Sequence, residues 1–156
     1  MPEINKIFIN NTVLDASVIA WALASLIKVV ITLITHKKID FKRFIGTGGM
    51  PSSHSAAICS MSASVFRVCG ISSPEFAISA VLAVIVMYDA AGVRRAAGEQ
   101  AKILNKMASL WENHGADRGM LMEKHLKELL GHTPIQVFAG SLLGIGVAFI
   151  YYSQLT

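Results

Sequence analysis

Long apolar runs dominate this sequence, and they restrict the chain to folds that cross a membrane. Residues 13–35 contain only two charged side chains, residues 76–93 only Asp89, and residues 134–152 none. An α-helix rises about 1.5 Å per residue, so each run is long enough to cross the hydrocarbon core of a bilayer. Residues 52–68 form a weaker candidate that is rich in Ser and Ala. We therefore predict an all-α fold, an integral membrane four-helix bundle.

The composition agrees with a membrane protein. Charged residues make up 15% of the chain, whereas soluble domains usually carry about 25%. The formal net charge of +4 is small and scattered, so no nucleic-acid partner is expected. Cys59 and Cys69 lie on one predicted helix at a separation of about 15 Å, which is too far for a disulfide. Residues 1–156 are expected to form a single membrane domain.

Basic residues concentrate in two segments that a four-span topology places on the same side of the membrane. They are Lys37, Lys38, Lys42 and Arg43 in the first segment, and Arg94, Arg95, Lys102, Lys106, Arg118, Lys124 and Lys127 in the second. Because loops rich in Lys and Arg stay in the cytoplasm, both segments are predicted to be cytoplasmic and both termini external. The chain is expected to be a multi-pass protein, of the cell membrane if it is bacterial.

The second basic segment also shows helical periodicity. One face would carry Ile103, Met107, Leu110 and Trp111, and another Met122, Leu126, Leu129 and Leu130, with a break at residues 113–115. Residues 96–130 are therefore predicted to form two amphipathic cytoplasmic helices, an insertion between the third and fourth spans that lies on the membrane or caps the bundle.

Residues 48–56 read Gly-Gly-Met-Pro-Ser-Ser-His-Ser-Ala and predict the start of a helix. Proline suits the first turn, and Ser is a favoured N-cap. The free N–H groups and the positive dipole end of a helix start suit an anion. His54 would lie in that first turn and exchange a proton near neutral pH. A simple helix cap with a bystander histidine is the alternative interpretation.

A second helix start beside a histidine occurs near the C-terminus. Thr133 as N-cap, Pro134 in the first turn and Gln136 three residues after Thr133 form a capping box. The capping box accounts for Thr133 and Gln136 without catalysis, but it leaves His132 unexplained. The second and fourth spans are thus both predicted to begin on the cytoplasmic side beside a histidine.

Charged residues in or next to the spans gather on the same predicted side. A charge within a span is costly and indicates function, which applies to Asp89 and to Lys28, although Lys28 could also extend to the interface. The predicted site comprises Lys28, Ser52, Ser53, His54, Asp89, Arg94, Arg95 and His132. Cations, hydroxyls and two histidines match phosphoryl transfer. Zinc held by both histidines and Asp89 is the rival chemistry; the cations argue against it, so no metal is expected.

These motifs resemble those of a known family. Pro51-Ser52-Ser53-His54 is similar to the P-S-G-H second motif of the phosphatidic acid phosphatase type 2 superfamily, and residues 132–140 are similar to the end of its third motif. Residues 48–56, 87–105 and 131–140 together resemble its divergent branch, described as acid phosphatase/vanadium-dependent haloperoxidase-related.

The resemblance implies roles for individual residues. His132 would be the nucleophile that forms a phosphohistidine, and His54 would protonate the leaving group. Ser52 and Ser53 would hold the phosphate, and no metal cofactor is implied. Two functions stay open: a phosphatase acting on a phosphate monoester or diphosphate carried by a lipid, and a catalytically degenerate protein that binds phosphate or a lipid headgroup or acts as a scaffold.

The sequence departs from the family pattern at three places. Gln136 stands where the family has an aspartate that orients the nucleophilic histidine, and Asp89 on the neighbouring span could supply that carboxylate. Lys28 is the nearest substitute for the lysine of the first motif. Leu126 stands where the third motif has its arginine. Arg94 or Arg95 could replace that arginine only if residues 96–130 are an insertion. We expect Asp89 within hydrogen-bond reach of His132 or of one of these arginines.

Overall fold

The apolar runs fold into helices. The computed structural model describes residues 11–36, 49–113, 126 and 131–154. The described helices are α1 (Thr12–His36), α2 (Ser53–Cys69), α3 (Pro74–Tyr88), α4 (Arg94–Asn113) and α5 (Pro134–Ser153). A π-helical turn, Asp89–Val93, joins α3 directly to α4. The described residues therefore form four helical rods, and the predicted all-α class is confirmed.

Three of these rods are long and apolar enough to cross a membrane. They are Thr12–Thr35 with a mean hydropathy of 2.2, Pro74–Leu110 with 2.1 and Pro134–Ser153 with 1.7. α2 is shorter and rich in Ser, and it packs between α1, α3 and α5. Its membrane crossing stays a prediction.

The predicted insertion is only partly described. α4 covers the first expected amphipathic helix, and it continues α3 without an intervening loop. The second expected helix and the first basic loop lie outside the described residues, apart from Leu126 and from His36 at the end of α1. The side-chain amide of Asn105 on α4 bonds both backbone polar groups of Leu126, at 3.0 Å each.

Contacts between the helices define their directions. α1 runs antiparallel to α2, since Ser60 Oγ donates to the carbonyl oxygen of Ala16 at 3.0 Å while Lys28, later on α1, contacts Ser53 at the start of α2. α3 is also antiparallel to α2, because the rings of Phe66 and Phe76 meet near the connecting turn with centroids 5.5 Å apart. α2 and α5 are parallel neighbours, so both helices begin at the same end of the bundle.

Small residues bring α2 and α5 close together. A Cβ on Gly140 would overlap the carbonyl oxygen of Ser52, and one on Gly144 would overlap that of Ala56. Gly140 and Gly144, four residues apart on α5, thus pack as a small-xxx-small pair against α2. This close approach places the first turns of α2 and α5 side by side.

Candidate active site

The starts of α2 and α5 are joined by backbone and capping hydrogen bonds. Ser52 N–H donates to the carbonyl oxygen of Gln136 at 3.0 Å. Ser52 is the N-cap of α2, and its Oγ accepts from the backbone N–H of Ser55 at 3.3 Å. Its side chain is fully buried in this role and does not line the pocket described below. The positive ends of two parallel helix dipoles therefore converge, which favours an anion between them.

His132 is held in place from two sides. Its backbone N–H donates to the carbonyl oxygen of Ala90 in the π turn at 2.9 Å. Its ring Nδ1 lies 3.2 Å from Gln136 Oε1, and the same oxygen accepts from the backbone N–H of Thr133 at 3.1 Å. Because an amide oxygen only accepts, Nδ1 carries the ring proton and Nε2 keeps a lone pair.

The second ring nitrogen of His132 is buried and unpaired in the described part of the chain. The residue is 3% exposed, and within the described part of the chain Nε2 has no hydrogen-bond partner. Burial lowers the pKa of His132 and the charges of Lys28 and His54 lower it further, while the hydrogen bond to Gln136 and the Gly49 backbone offset only part of that change. The imidazole is therefore neutral at physiological pH, which is the nucleophilic form.

Gly131 explains how His132 reaches the π turn. Its φ is 90°, in the left-handed region, and a Cβ at this position would overlap the backbone of Arg94 and Arg95. Only glycine allows this close approach without strain. The sequence motif contains Gly131, but nothing in the local pattern indicates its long-range contact.

A small open pocket brings four of the predicted site residues together. His54, Asp89, Arg94 and His132 line it, with Gly131 at one side. His54 is exposed in the first turn of α2, whereas His132 is buried. The two histidines therefore share one pocket at the same end of the bundle, as the sequence predicts.

Lys28 lies beneath the start of α2. The residue is 1% exposed, and its Nζ donates to Ser53 Oγ at 3.4 Å. Its aliphatic stem passes under Gly49. No carboxylate within the described ranges forms an ion pair with it. A buried ammonium with one long hydrogen bond is poorly compensated, so it favours an anion nearby.

Asp89 contacts an arginine. Its Oδ2 accepts from Arg94 Nε at 2.6 Å, which confirms the expectation that Asp89 lies within reach of Arg94. The His132 ring bonds Gln136 instead, so Asp89 does not replace the family's aspartate in this structure. Arg95 is exposed and outside the pocket lining; only its backbone meets Gly131.

The zinc alternative gains no support from the geometry. Among the described residues, no three His, Cys, Asp or Glu side chains are grouped so that they could hold a metal ion. Arg94 lines the pocket, whereas Lys28, beneath the start of α2, and Ser53 lie outside the lining; the two cations favour an anionic ligand.

Known proteins are similar to this chain over most of its length. A family model described as the divergent PAP2 family matches residues 9–147. The chain belongs to the divergent PAP2 family. A relative from Bacillus subtilis (strain 168), named uncharacterized membrane protein YuiD, is 46% identical over 144 residues, which cover 88% of this chain and 91% of the relative. No solved structure matches the chain. Membership of the divergent PAP2 family confirms the resemblance found in the sequence, and this chain is a membrane protein of that family.

Proposed function

We propose that this chain is a membrane phosphatase that hydrolyses a phosphate monoester or diphosphate carried by a lipid. The observation that supports it is the state of His132. Its Nε2 is buried, deprotonated and without a partner in the described part, and the residue lines a pocket together with His54 and Arg94. A fixed tautomer with a free lone pair beside cations is the arrangement that nucleophilic attack on phosphorus requires.

The proposed reaction has two steps. The Nε2 lone pair of His132 attacks phosphorus and forms a P–N bond, while the P–O bond to the leaving group breaks. A bound phosphate anion favours the protonated form of His54, which then gives its proton to the departing oxygen. Neutral His54 then takes a proton from water, whose oxygen attacks phosphorus and breaks the P–N bond, which releases inorganic phosphate. Lys28 and Arg94 carry the positive charge that stabilises the phosphoryl oxygens.

The proposed topology puts this site at the cytoplasmic surface. With α2 crossing the membrane as the second of four spans, α2 and α5 begin, and α1 and α3 end, on the side of the basic segments. The excess of Lys and Arg there favours a cytoplasmic location. A pocket at the ends of spanning helices suits a substrate whose phosphate lies at the membrane surface and whose chain lies in the bilayer.

Gln136 favours a second candidate function, a catalytically degenerate protein that binds phosphate or a lipid headgroup. A neutral amide orients the imidazole, but it stabilises the imidazolium less than a carboxylate does. The pocket and its cations are the same in both candidates, so turnover alone separates them.

His132→Asn is the sharpest test of catalysis. The shorter amide replaces the Nδ1 donor that faces Gln136 but offers no nucleophilic Nε2. Full-length protein in detergent is offered a panel of lipid monophosphates and diphosphates, and phosphate release is measured. We expect release by the wild type and by Arg67→Gln, which removes a cation at the far end of α2, and none by His132→Asn.

Covalent labelling separates the outcomes. A substrate with a radioactive phosphate should leave an acid-labile label on the wild type and none on His132→Asn. Phosphate release that is equal in all three proteins would exclude His132 as nucleophile. Phosphate binding without release by the wild type would establish the degenerate function instead.

A further inference from the structure

The π turn between α3 and α4 makes Asp89 and Arg94 neighbours. In a regular α-helix, two residues five positions apart point about 140° away from each other. Here the backbone N–H of Arg94 donates to the carbonyl oxygen of Asp89, an i→i+5 bond that stacks the two residues. Arg94 Nε consequently lies 2.6 Å from Asp89 Oδ2. The ion pair is thus a product of the π turn.

We propose that Asp89 is a positioning residue that holds the Arg94 guanidinium over the pocket, so that its two terminal nitrogens face a bound phosphate. The proposal rests on the phosphate-binding site proposed above. A guanidinium carries its N–H donors in a rigid planar fork, so a bond at Nε leaves both terminal groups for other acceptors. Without the carboxylate, a long exposed side chain samples many rotamers, and ordering it on binding costs free energy.

A stabilising role does not account for the ion pair. The Arg94 and Asp89 side chains are 49% and 39% exposed, and exposed pairs contribute little to folding because water screens them. Both side chains line the pocket that also contains His54 and His132. The location of the pair therefore indicates an effect on the ligand of that pocket.

A direct effect of Asp89 on the nucleophile His132 does not account for the ion pair with Arg94 either. The ring Nδ1 of His132 is bonded to Gln136, and Nε2 has no partner within the described ranges. Asp89 should therefore change how tightly phosphate binds and leave the titration of His132 unaltered.

Calorimetric titration of inorganic phosphate into the full-length protein tests the proposal. We expect Asp89→Asn to weaken binding about three- to tenfold and Arg94→Gln about tenfold, as for loss of an ordered charge-assisted hydrogen bond. Because Asp89 acts only through Arg94, the double variant should bind phosphate as Arg94→Gln does. Asp89→Glu keeps the charge and should retain most of the affinity.

Glu99→Gln is the matched control. It removes the exposed ion pair between Glu99 and Lys102, 3.2 Å apart on the same helix as Arg94, and should bind phosphate as the wild type does. Asp89→Asn binding as tightly as this control would overturn the positioning role and leave the proposed function intact. A shift in the ring titration of His132 in Asp89→Asn, followed by NMR, would also overturn it, because the carboxylate would then act on the nucleophile. Absence of phosphate binding by the wild type would exclude both proposals.

Discussion

His132 Nδ1 lies 3.2 Å from Gln136 Oε1, and the same oxygen accepts from the backbone N–H of Thr133 at 3.1 Å. One amide oxygen therefore closes the capping box of α5 and fixes the tautomer of the imidazole. The sequence leaves open whether Gln136 serves the cap or the histidine, and the geometry satisfies both with one atom. The start of α5 and the orientation of His132 are thus coupled.

Gln136→Glu should strengthen any phosphatase activity and keep the fold. Glutamate has the same reach as glutamine and completes the common form of the capping box, whereas aspartate, the family's residue, is one methylene shorter. A carboxylate beside the ring favours the imidazolium, so the pKa of His132 should rise. NMR titration of the ring and the rate of phosphate release measure the two effects. Gln136→Met keeps the length of the side chain but loses both hydrogen bonds, so it should lower the free energy of unfolding by about 1 kcal/mol. An unchanged His132 pKa in Gln136→Glu would contradict the coupling between Gln136 and the imidazole.

The stability of the protein should fall on mild acidification. His132 lies just outside the span Pro134–Ser153, and burial holds its pKa below the ordinary value. The contribution of His132 to the free energy of unfolding is therefore complete above its unfolded pKa of about 6.5. It is lost as the pH falls from there toward the folded pKa, because the unfolded state takes up the proton first. The test measures the free energy of unfolding of the wild type and of His132→Asn across this pH range and compares their slopes. Parallel curves for the two proteins would mean that another group dominates.

The spans and the two capped helix starts follow from local signals in the sequence. Apolar runs mark α1, α3 and α5, and Ser52 and Thr133 are the caps that their residue types predict. The sequence predicts that Asp89 contacts His132, Arg94 or Arg95. It does not decide among the three, because the contact depends on the π turn. No local pattern encodes that turn, since it is fixed by packing of the 131–132 backbone against Ala90, Arg94 and Arg95. Tertiary contacts of this kind lie beyond sequence periodicity.

Gly131→Ala should disrupt the site far more than Gly70→Ala. Both glycines have φ near 90°, so each substitution costs about 1–3 kcal/mol of backbone strain. A Cβ on Gly131 also meets the backbone of Arg94 and Arg95, whereas one on Gly70 meets nothing within 4 Å. Phosphate binding should therefore be lost in Gly131→Ala and retained in Gly70→Ala. Equal loss in both variants would assign the effect to strain alone.

Gly144→Ala and Gly146→Ala should change stability in opposite directions. A Cβ on Gly144 would overlap the carbonyl oxygen of Ala56, and separating α2 from α5 should cost about 1–3 kcal/mol. Gly146 faces open space, and alanine there should stabilise the helix by about 0.5–1 kcal/mol. Thermal unfolding in detergent measures both. A neutral Gly144→Ala would show that the two helices do not approach as closely as the structure has them.

Lys28→Met should make the protein more stable and less able to bind phosphate. The Lys28 ammonium is buried with one hydrogen bond of 3.4 Å, so an apolar side chain of similar length removes a desolvation cost of roughly 1–3 kcal/mol. The same substitution removes a cation from the proposed anion site, and phosphate affinity should fall about tenfold. Lys102→Met, at a half-exposed lysine of α4, should change neither quantity much. A functional site retains charges that folding alone does not favour. A Lys28→Met protein that loses both stability and phosphate affinity would contradict this prediction and identify Lys28 as a structural residue.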